Sequence, residues 1–399
     1  FVNPSIVSAT GMPVNAVLMA TCFSAALASI LMAFLANYPF ALAPGMGLNA
    51  YFTYSVVLGM GVPWQTALGA VFISGVIFLL LTLSNIREMI IDAIPTALKL
   101  AISAGIGLFI AFIGLQNAGI IVDNPATLVG LGDLTQPATA LAVLGILITT
   151  VLLARNVRGA ILIGIFATSI VGYFIGVTKL PSGIVALPRM SDWAPVLGAL
   201  DIKGALSLGF FNIIFAFLFV DLFDTVGTLI GVSERGGFLK NGKLPRANRA
   251  LLADSLGTIA GSFFGTPTVT TYVESASGVA AGGRTGLTSL TVALLFLAAL
   301  FFSPIIGVVP AAATAPALIV VGAMMITSVT KIKWDDFSEA IPAFLAIITM
   351  PLSYSIATGI AVGFALYPFV KLLSGRGKEV NWLVWVLSLL FIARFIWLA

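Results

Sequence analysis

Apolar residues run through this chain in blocks of roughly 17–25, the length an α-helix needs to cross the hydrocarbon core of a bilayer. Such blocks lie at 14–35, 38–58, 64–83, 95–115, 138–153, 159–177, 205–231, 250–264, 266–281, 287–309, 311–329, 341–350, 356–373 and 380–398. Several are too short or too interrupted to be plain spans. The polar intervals between them are loops rather than linkers, so the pattern predicts one all-α polytopic unit embedded in a lipid bilayer, with no separate soluble domain.

The basic residues then orient that unit. Arg87, Arg155, Arg158, Arg235, Lys240, Lys243, Arg246, Arg249, Arg284, Lys331, Lys333, Lys371, Arg376 and Lys378 all fall in alternate loops, and the opposite loops hold only Lys179, Arg189 and Lys203. Cytoplasmic loops carry the excess of Lys and Arg, which makes the first set cytoplasmic.

Two blocks begin extended and finish helical. In YPFALAPGMGLNAYF, residues 38–52, two prolines and two glycines interrupt the apolar run. In GTPTVTTYVESASGVAAGG, residues 265–283, a β-branched and aromatic stretch gives way to small residues. The two align at an offset of 228 residues, which places Pro39 on Pro267, Met46 on Glu274 and Asn49 on Ser277. The preceding helices, ending in LMAFLANYP and TIAGSFFGTP, keep that register. Broken segments at matching positions in two halves are the sequence mark of a transporter's binding site. Carried further back, the offset expects the helix at 205–231 to have a partner ending near residues 1–4, and hence one helix ahead of Phe1.

Composition narrows the class. Apolar residues make up 60% and charged residues 9% of the 399, against roughly 45–50% and about 25% in soluble domains. The net charge of +4 comes from single basic residues in short loops, which argues against a nucleic-acid partner. Cys22 is the only cysteine, so a disulfide framework or cysteine metal cluster is excluded, and its thiol is a core or lipid-facing group. No metal or cofactor is expected.

The segments FVNPS at Phe1, ALAPGMGLNAYF at Ala41, FVDLFDTVGTLIG at Phe219 and GTPTVTTYVESASGVAAGGRTG at Gly265 resemble the signature segments of AzgA-like purine permeases, within the nucleobase/ascorbate transporter superfamily. The resemblance covers nearly the whole chain. It implies a seven-plus-seven inverted-repeat fold with core and gate domains, and two short antiparallel strands ahead of the third and tenth helices with the substrate between them. It also implies proton-coupled import of adenine, guanine or hypoxanthine, and a homodimer formed through the gate. The expected division is 1–94 and 204–310 for the core, 95–203 and 311–375 for the gate, and 376–399 as an added apolar tail that either spans the membrane or lies in its interface.

Asp221 and Asp224 stand in an apolar run, three residues apart on one helical face with Phe217 and Thr228. A mid-membrane carboxylate costs at least about 2.5–3.5 kcal/mol and is by default functional. The resemblance puts the working acid at Asp224 and leaves Asp221 as a structural partner. Gly227 and Gly231 form a small-xxx-small pair for close helix approach. Asp254 reads either as a partner of the Arg246 and Arg249 loop or as a helix-start charge. Lys99 snorkels to the interface or reaches a ligand. Asn49 follows the Gly45 and Gly47 break and is either a helix cap or an amide beside the ligand.

A purine is flat and rimmed with donors and acceptors, so a matching site needs carboxylates for its N–H groups, free backbone for its lone pairs and an apolar wall. Glu274 and Asp224 supply the carboxylates, Phe40 and Tyr272 are candidate walls, and Met46, Asn49, Thr228 and Val273 complete the expected binding set. Glu274 stands where the extended stretch becomes helical, and it either grips the base or caps the helix. The chain holds no histidine, so a proton coupled near neutral pH rides on a carboxylate, with Asp224 the candidate; sodium is the alternative coupling ion. The rivals are an anion carrier of sulfate or bicarbonate type, disfavoured by two central acids, an intramembrane aspartyl enzyme, disfavoured because both acids share one helix, and a channel.

Overall fold

The structure, a computed structural model, describes residues 1–84, 93–181, 183–207, 213–239, 244–272, 274–306 and 308–397. In chain order the elements are α1 (Val2–Val7), α2 (Val14–Leu31), β1 (Leu42–Pro44), α3 (Met46–Ala50), α4 (Trp64–Leu83), α5 (Thr96–Asn117), β2 (Ile121–Asn124), β3 (Leu128–Leu131), α6 (Pro137–Ala154) and α7 (Ala160–Phe174). The second half continues with α8 (Met190–Trp193), α9 (Ile202–Ser207), α10 (Phe215–Gly236), α11 (Ala247–Phe264), β4 (Val269–Thr271), α12 (Ser275–Ala280), α13 (Gly286–Ala299), α14 (Ser303–Ile306), α15 (Ala311–Ile326), α16 (Phe337–Leu352), α17 (Ile356–Leu373) and α18 (Trp382–Trp397). Among the described residues, seven helices are long and apolar enough to cross a membrane unaided.

The helices fall on the expected apolar blocks, and the differences have local causes. In the block at 205–231 the described pieces are α9 and α10, and α10 runs past the apolar stretch until Gly237, whose φ of 68° ends it. The block at 341–350 starts earlier, because Asp336 caps α16 by accepting a hydrogen bond from the Ser338 backbone N–H at 3.0 Å. The loop after α5 folds into a hairpin of β2 and β3 that hydropathy did not mark. Its turn is closed by Asn124 Oδ1, which accepts from the backbone N–H groups of Ala126 and Thr127 at 2.9 and 3.2 Å. The apolar tail is a helix, α18, packed along α17, and its Phe391 ring meets Phe215 and Phe219 of α10 and Phe364 of α17 at 5.2–5.6 Å.

The two broken segments meet. β1 and β4 pair antiparallel with Leu42 opposite Thr271, Ala43 opposite Thr270 and Pro44 opposite Val269. Under the 228-residue offset Leu42 corresponds to Thr270 and Ala43 to Thr271, so the first two pairs are images of each other. That is the register an internal two-fold axis between those pairs imposes, and the two halves of the chain meet across it. Side chains supply the sheet's missing partners: Ser29 Oγ bonds both the N–H and the carbonyl of Leu42 at 3.0 Å, and Thr258 Oγ1 donates to the Val269 carbonyl at 3.1 Å. At the same offset, α1 stands where the last turns of α10 stand.

The helices pack in two sets. α2, α4, α11 and α13 pack on one another, and α5, α6, α7, α15, α16 and α17 form the second set. Small residues allow the close approach in the second: a Cβ added to Gly107 of α5 would lie 2.8 Å from the carbonyl oxygen of Gly322 in α15. α10 lies between the sets, touching α4, β4 and α12 on one side and α5 and α17 on the other.

Candidate functional site

Antiparallel pairing of β1 and β4 sends α3 and α12 away from the crossing in opposite directions, so their first turns lie near its centre. α10 passes this crossing and presents two strips. Asp221 and Thr225, one turn apart, are fully buried, whereas Asp224 is only partly so.

Thr225 ties three elements together. Its Oγ1 lies 2.9 Å from Asp254 Oδ1 on α11, 3.3 Å from Asp221 Oδ1 and 2.9 Å from Thr270 Oγ1 on β4. A hydroxyl has one proton and two lone pairs. The Thr225 proton therefore goes to the nearer carboxylate, Asp254, and the Thr270 hydroxyl donates to Thr225. Asp254 is fully buried inside α11, one turn beyond Ala250. It joins the crossing through Thr225 and stands too far along the helix to be its start charge.

Asp224 points the other way, at the break ahead of α3. A Cβ added to Gly45 would sit 3.1 Å from Asp224 Oδ2 and 2.5 Å from the Thr270 methyl, so only glycine lets the carboxylate and β4 approach this closely. Asp224 is within electrostatic reach of both Asp254 and Glu274. Glu274 immediately precedes α12, is partly open like Asp224, and turns its carboxylate back on its own backbone N–H. Tyr272 lies within reach of Glu274 and Cys22, and its N–H donates to the Ala41 carbonyl at 2.9 Å.

The crossing thus brings Asp224, Glu274 and Tyr272 together. Thr228 is buried one turn further along α10, and Met46 is half-buried at the first position of α3, against the main core. Asn49 is fully buried, and its Nδ2 donates to Asn3 Oδ1 at 2.6 Å. Val273 lies outside the described residues. Phe40 stacks on Tyr38 at 4.9 Å and meets Phe238 edge-on at 5.6 Å, which occupies its ring. Sequence reasoning missed Asn3, Thr225 and Thr270. Asn3 alone left a signal, a carboxamide within the apolar segment FVNPS; a threonine in such a run is unremarkable until its neighbours are known.

Comparison with known proteins agrees with this architecture. The membrane domain of the cyanobacterial bicarbonate transporter BicA covers 91% of this chain and 93% of its own, with a TM-score of 0.64 and 14% identity. Murine Slc26a9, an anion transporter solved in an inward-facing state, superposes with a TM-score of 0.61 at 13% identity, covering 94% of this chain and 66% of its own. At such identity the likeness is one of fold. In sequence, the adenine permease AdeQ of Escherichia coli is 47% identical over 99% of this chain and 89% of its own length. The guanine/hypoxanthine permease PbuG of Bacillus subtilis is 47% identical over 96% and 87%, and the putative permease MJ0326 of Methanocaldococcus jannaschii 56% over 100% and 91%. A family model described as "Permease family", that of the xanthine/uracil permeases, matches residues 1–362. The chain, a multi-pass membrane protein with its two halves joined at a strand crossing, belongs to the xanthine/uracil permease family.

Proposed function

We propose that this permease imports purine nucleobases, adenine, guanine or hypoxanthine, and holds them at the β1–β4 crossing between Asp224 and Glu274. The observation that carries the reading is the meeting of these two partly open carboxylates beside the Gly45 break, in a chain whose full-length relatives are named as adenine and guanine/hypoxanthine permeases. An ionised carboxylate accepts two adjacent purine N–H groups, and the backbone freed by the breaks answers the ring nitrogens. Met46, Asn49, Thr228 and Tyr272 complete the surroundings of the base. The shared fold with anion transporters does not carry their substrate, because an anion entering beside two acids meets repulsion.

Coupling follows from the same cluster. Asp224 stands within electrostatic reach of Asp254 and of Glu274, and a proton taken up with the substrate relieves its repulsion with both. Asp224 is the carrier in this reading, with sodium as the competing ion. Residues 1–94 and 204–310 form the moving core, 95–203 and 311–375 the gate, and transport is a displacement of one against the other, in a homodimer held through the gate.

The test is uptake of labelled hypoxanthine into cells or proteoliposomes, with adenine, guanine, xanthine and uracil as competitors and an imposed proton or sodium gradient. Saturable accumulation driven by the proton gradient and competed by purines is expected. Accumulation of bicarbonate or sulfate with no purine competition would overturn the reading.

A further inference from the structure

A chain of hydrogen bonds behind the crossing leaves one acceptor without a partner. Thr21 Oγ1 donates to the Val17 carbonyl one turn back in α2, at 2.6 Å. Its single proton is thereby committed, so towards Asn3, 2.6 Å away, the hydroxyl can only accept. The Asn3 atom facing Thr21 must then be Nδ2, whose second hydrogen goes to Thr266 Oγ1 at 3.0 Å. Asn3 turns its Oδ1 to Asn49, which can meet it only with Nδ2, at 2.6 Å. All four residues are buried. Asn49 Oδ1 is left buried with no hydrogen-bond partner among the described residues. Buried polar atoms in native proteins rarely stay unpaired, and those that do need a reason.

We infer that Asn3 is a positioning residue that fixes which end of the Asn49 amide turns towards Asn3, so that Oδ1 is the atom Asn49 offers the transported base. The inference rests on the purine reading above. A free carboxamide rotates to offer either end and matches a donor or an acceptor equally well. Held by Asn3 through Nδ2, Asn49 keeps Oδ1 turned away from Asn3, where it answers an N–H, such as a ring N–H of hypoxanthine or guanine or the exocyclic amine of adenine. A base presenting a lone pair there would leave two acceptors facing each other, and such mismatches in a buried polar site carry large discrimination. The device also joins the halves, since Thr266 belongs to the segment leading into β4 while Asn49 stands on α3.

The test uses the full chain purified in detergent, with equilibrium binding of adenine, guanine, hypoxanthine and xanthine. Asn3→Ala and the near-isosteric Thr21→Val release the amide and should narrow the spread between best- and worst-bound purine by about tenfold or more. Thr21→Ser, which keeps the hydroxyl, should retain the parent spread. An unchanged spread in both Asn3→Ala and Thr21→Val overturns the inference even if all affinities fall together, since uniform weakening is what a merely structural role would give. Equal narrowing in Thr21→Ser and Thr21→Val also overturns it, because shape rather than the hydroxyl would then be responsible. A parent that binds none of the four removes the purine reading itself, a different failure visible before any variant is measured.

Discussion

At the end of α17 the Nζ of Lys371 is fully buried, 2.6 Å from Glu339, 3.2 Å from Glu379 and 3.9 Å from Asp336. Arg376 closes the group, meeting Asp336 at 2.5 Å and holding Glu379 in a two-bond fork of 2.8 and 2.9 Å. At the strand crossing the Thr225 hydroxyl donates to Asp254 and lies 3.3 Å from Asp221, and Asp224 looks towards Gly45 and lies within reach of two further acids. Both regions concentrate carboxylates, yet one neutralises its acids with cations in place and the other sets acids against one another. The first arrangement fastens α16, α17 and the turn ahead of α18; the second suits a site completed by what it binds.

The comparison breaks first at Asp224. Asp224→Asn is expected to abolish purine accumulation driven by a proton gradient while leaving binding or exchange measurable in the same proteoliposomes. Undiminished accumulation would remove Asp224 from coupling. The opposite experiment is Lys371→Met, which takes the Lys371 cation from Glu339 and leaves Arg376 alone to hold Asp336 and Glu379. It should destabilise the protein by about 3 kcal/mol, the low end for breaking a buried pair because its acids are partly exposed, and leave purine affinity of the folded protein unchanged. Thermal melting in detergent read beside ligand binding separates the two.

A smaller effect sharpens the same contrast. Hydrogen bonds from Ser338 and Arg376 hold Asp336 below the usual carboxylate range, and bonds from Arg376 and Lys371 do the same for Glu379. A carboxyl whose folded value is depressed contributes stability above its ordinary value, and that contribution fades as pH falls towards the folded one. Melting temperature should therefore drop as pH falls below about 4.5 and then 3.8, the ordinary Glu and Asp values. Arg376→Gln should flatten that dependence; an identical acid profile in parent and variant would count against the network. Smallest of all, Asp221→Asn should change purine affinity by less than about threefold, since Asp221 is fully buried beside Thr225, whose hydroxyl proton goes to the nearer Asp254. A larger loss would place Asp221 in the binding site.

The apolar blocks, the two broken segments and their 228-residue offset were legible because a bilayer fixes helix length and a break in an apolar run is visible residue by residue. Asp224 and Glu274 were legible for the same reason, as acids where acids are costly. The contact of Asp254 with Thr225 was not legible, because its proximity to Arg246 and Arg249 in sequence says nothing of the face it turns in α11. Asn3, Thr225 and Thr270 were hidden because each acts through a partner far along the chain. The hairpin of β2 and β3 was missed because a turn such as Asn124 to Leu128 carries no hydropathy signal.

The most direct test of the central claim, that an acid at the crossing holds the base, is equilibrium binding of hypoxanthine, guanine and adenine to purified Glu274→Gln beside the parent. Loss of a charge-assisted bond in a buried site costs roughly 1.5–3 kcal/mol, or about tenfold to more than a hundredfold in affinity. The account predicts weakening of that order in a protein that melts like the parent and reaches the membrane in the same amount. Parent-like affinity for all three bases would mean that Glu274 only caps α12, and that the purine is held elsewhere.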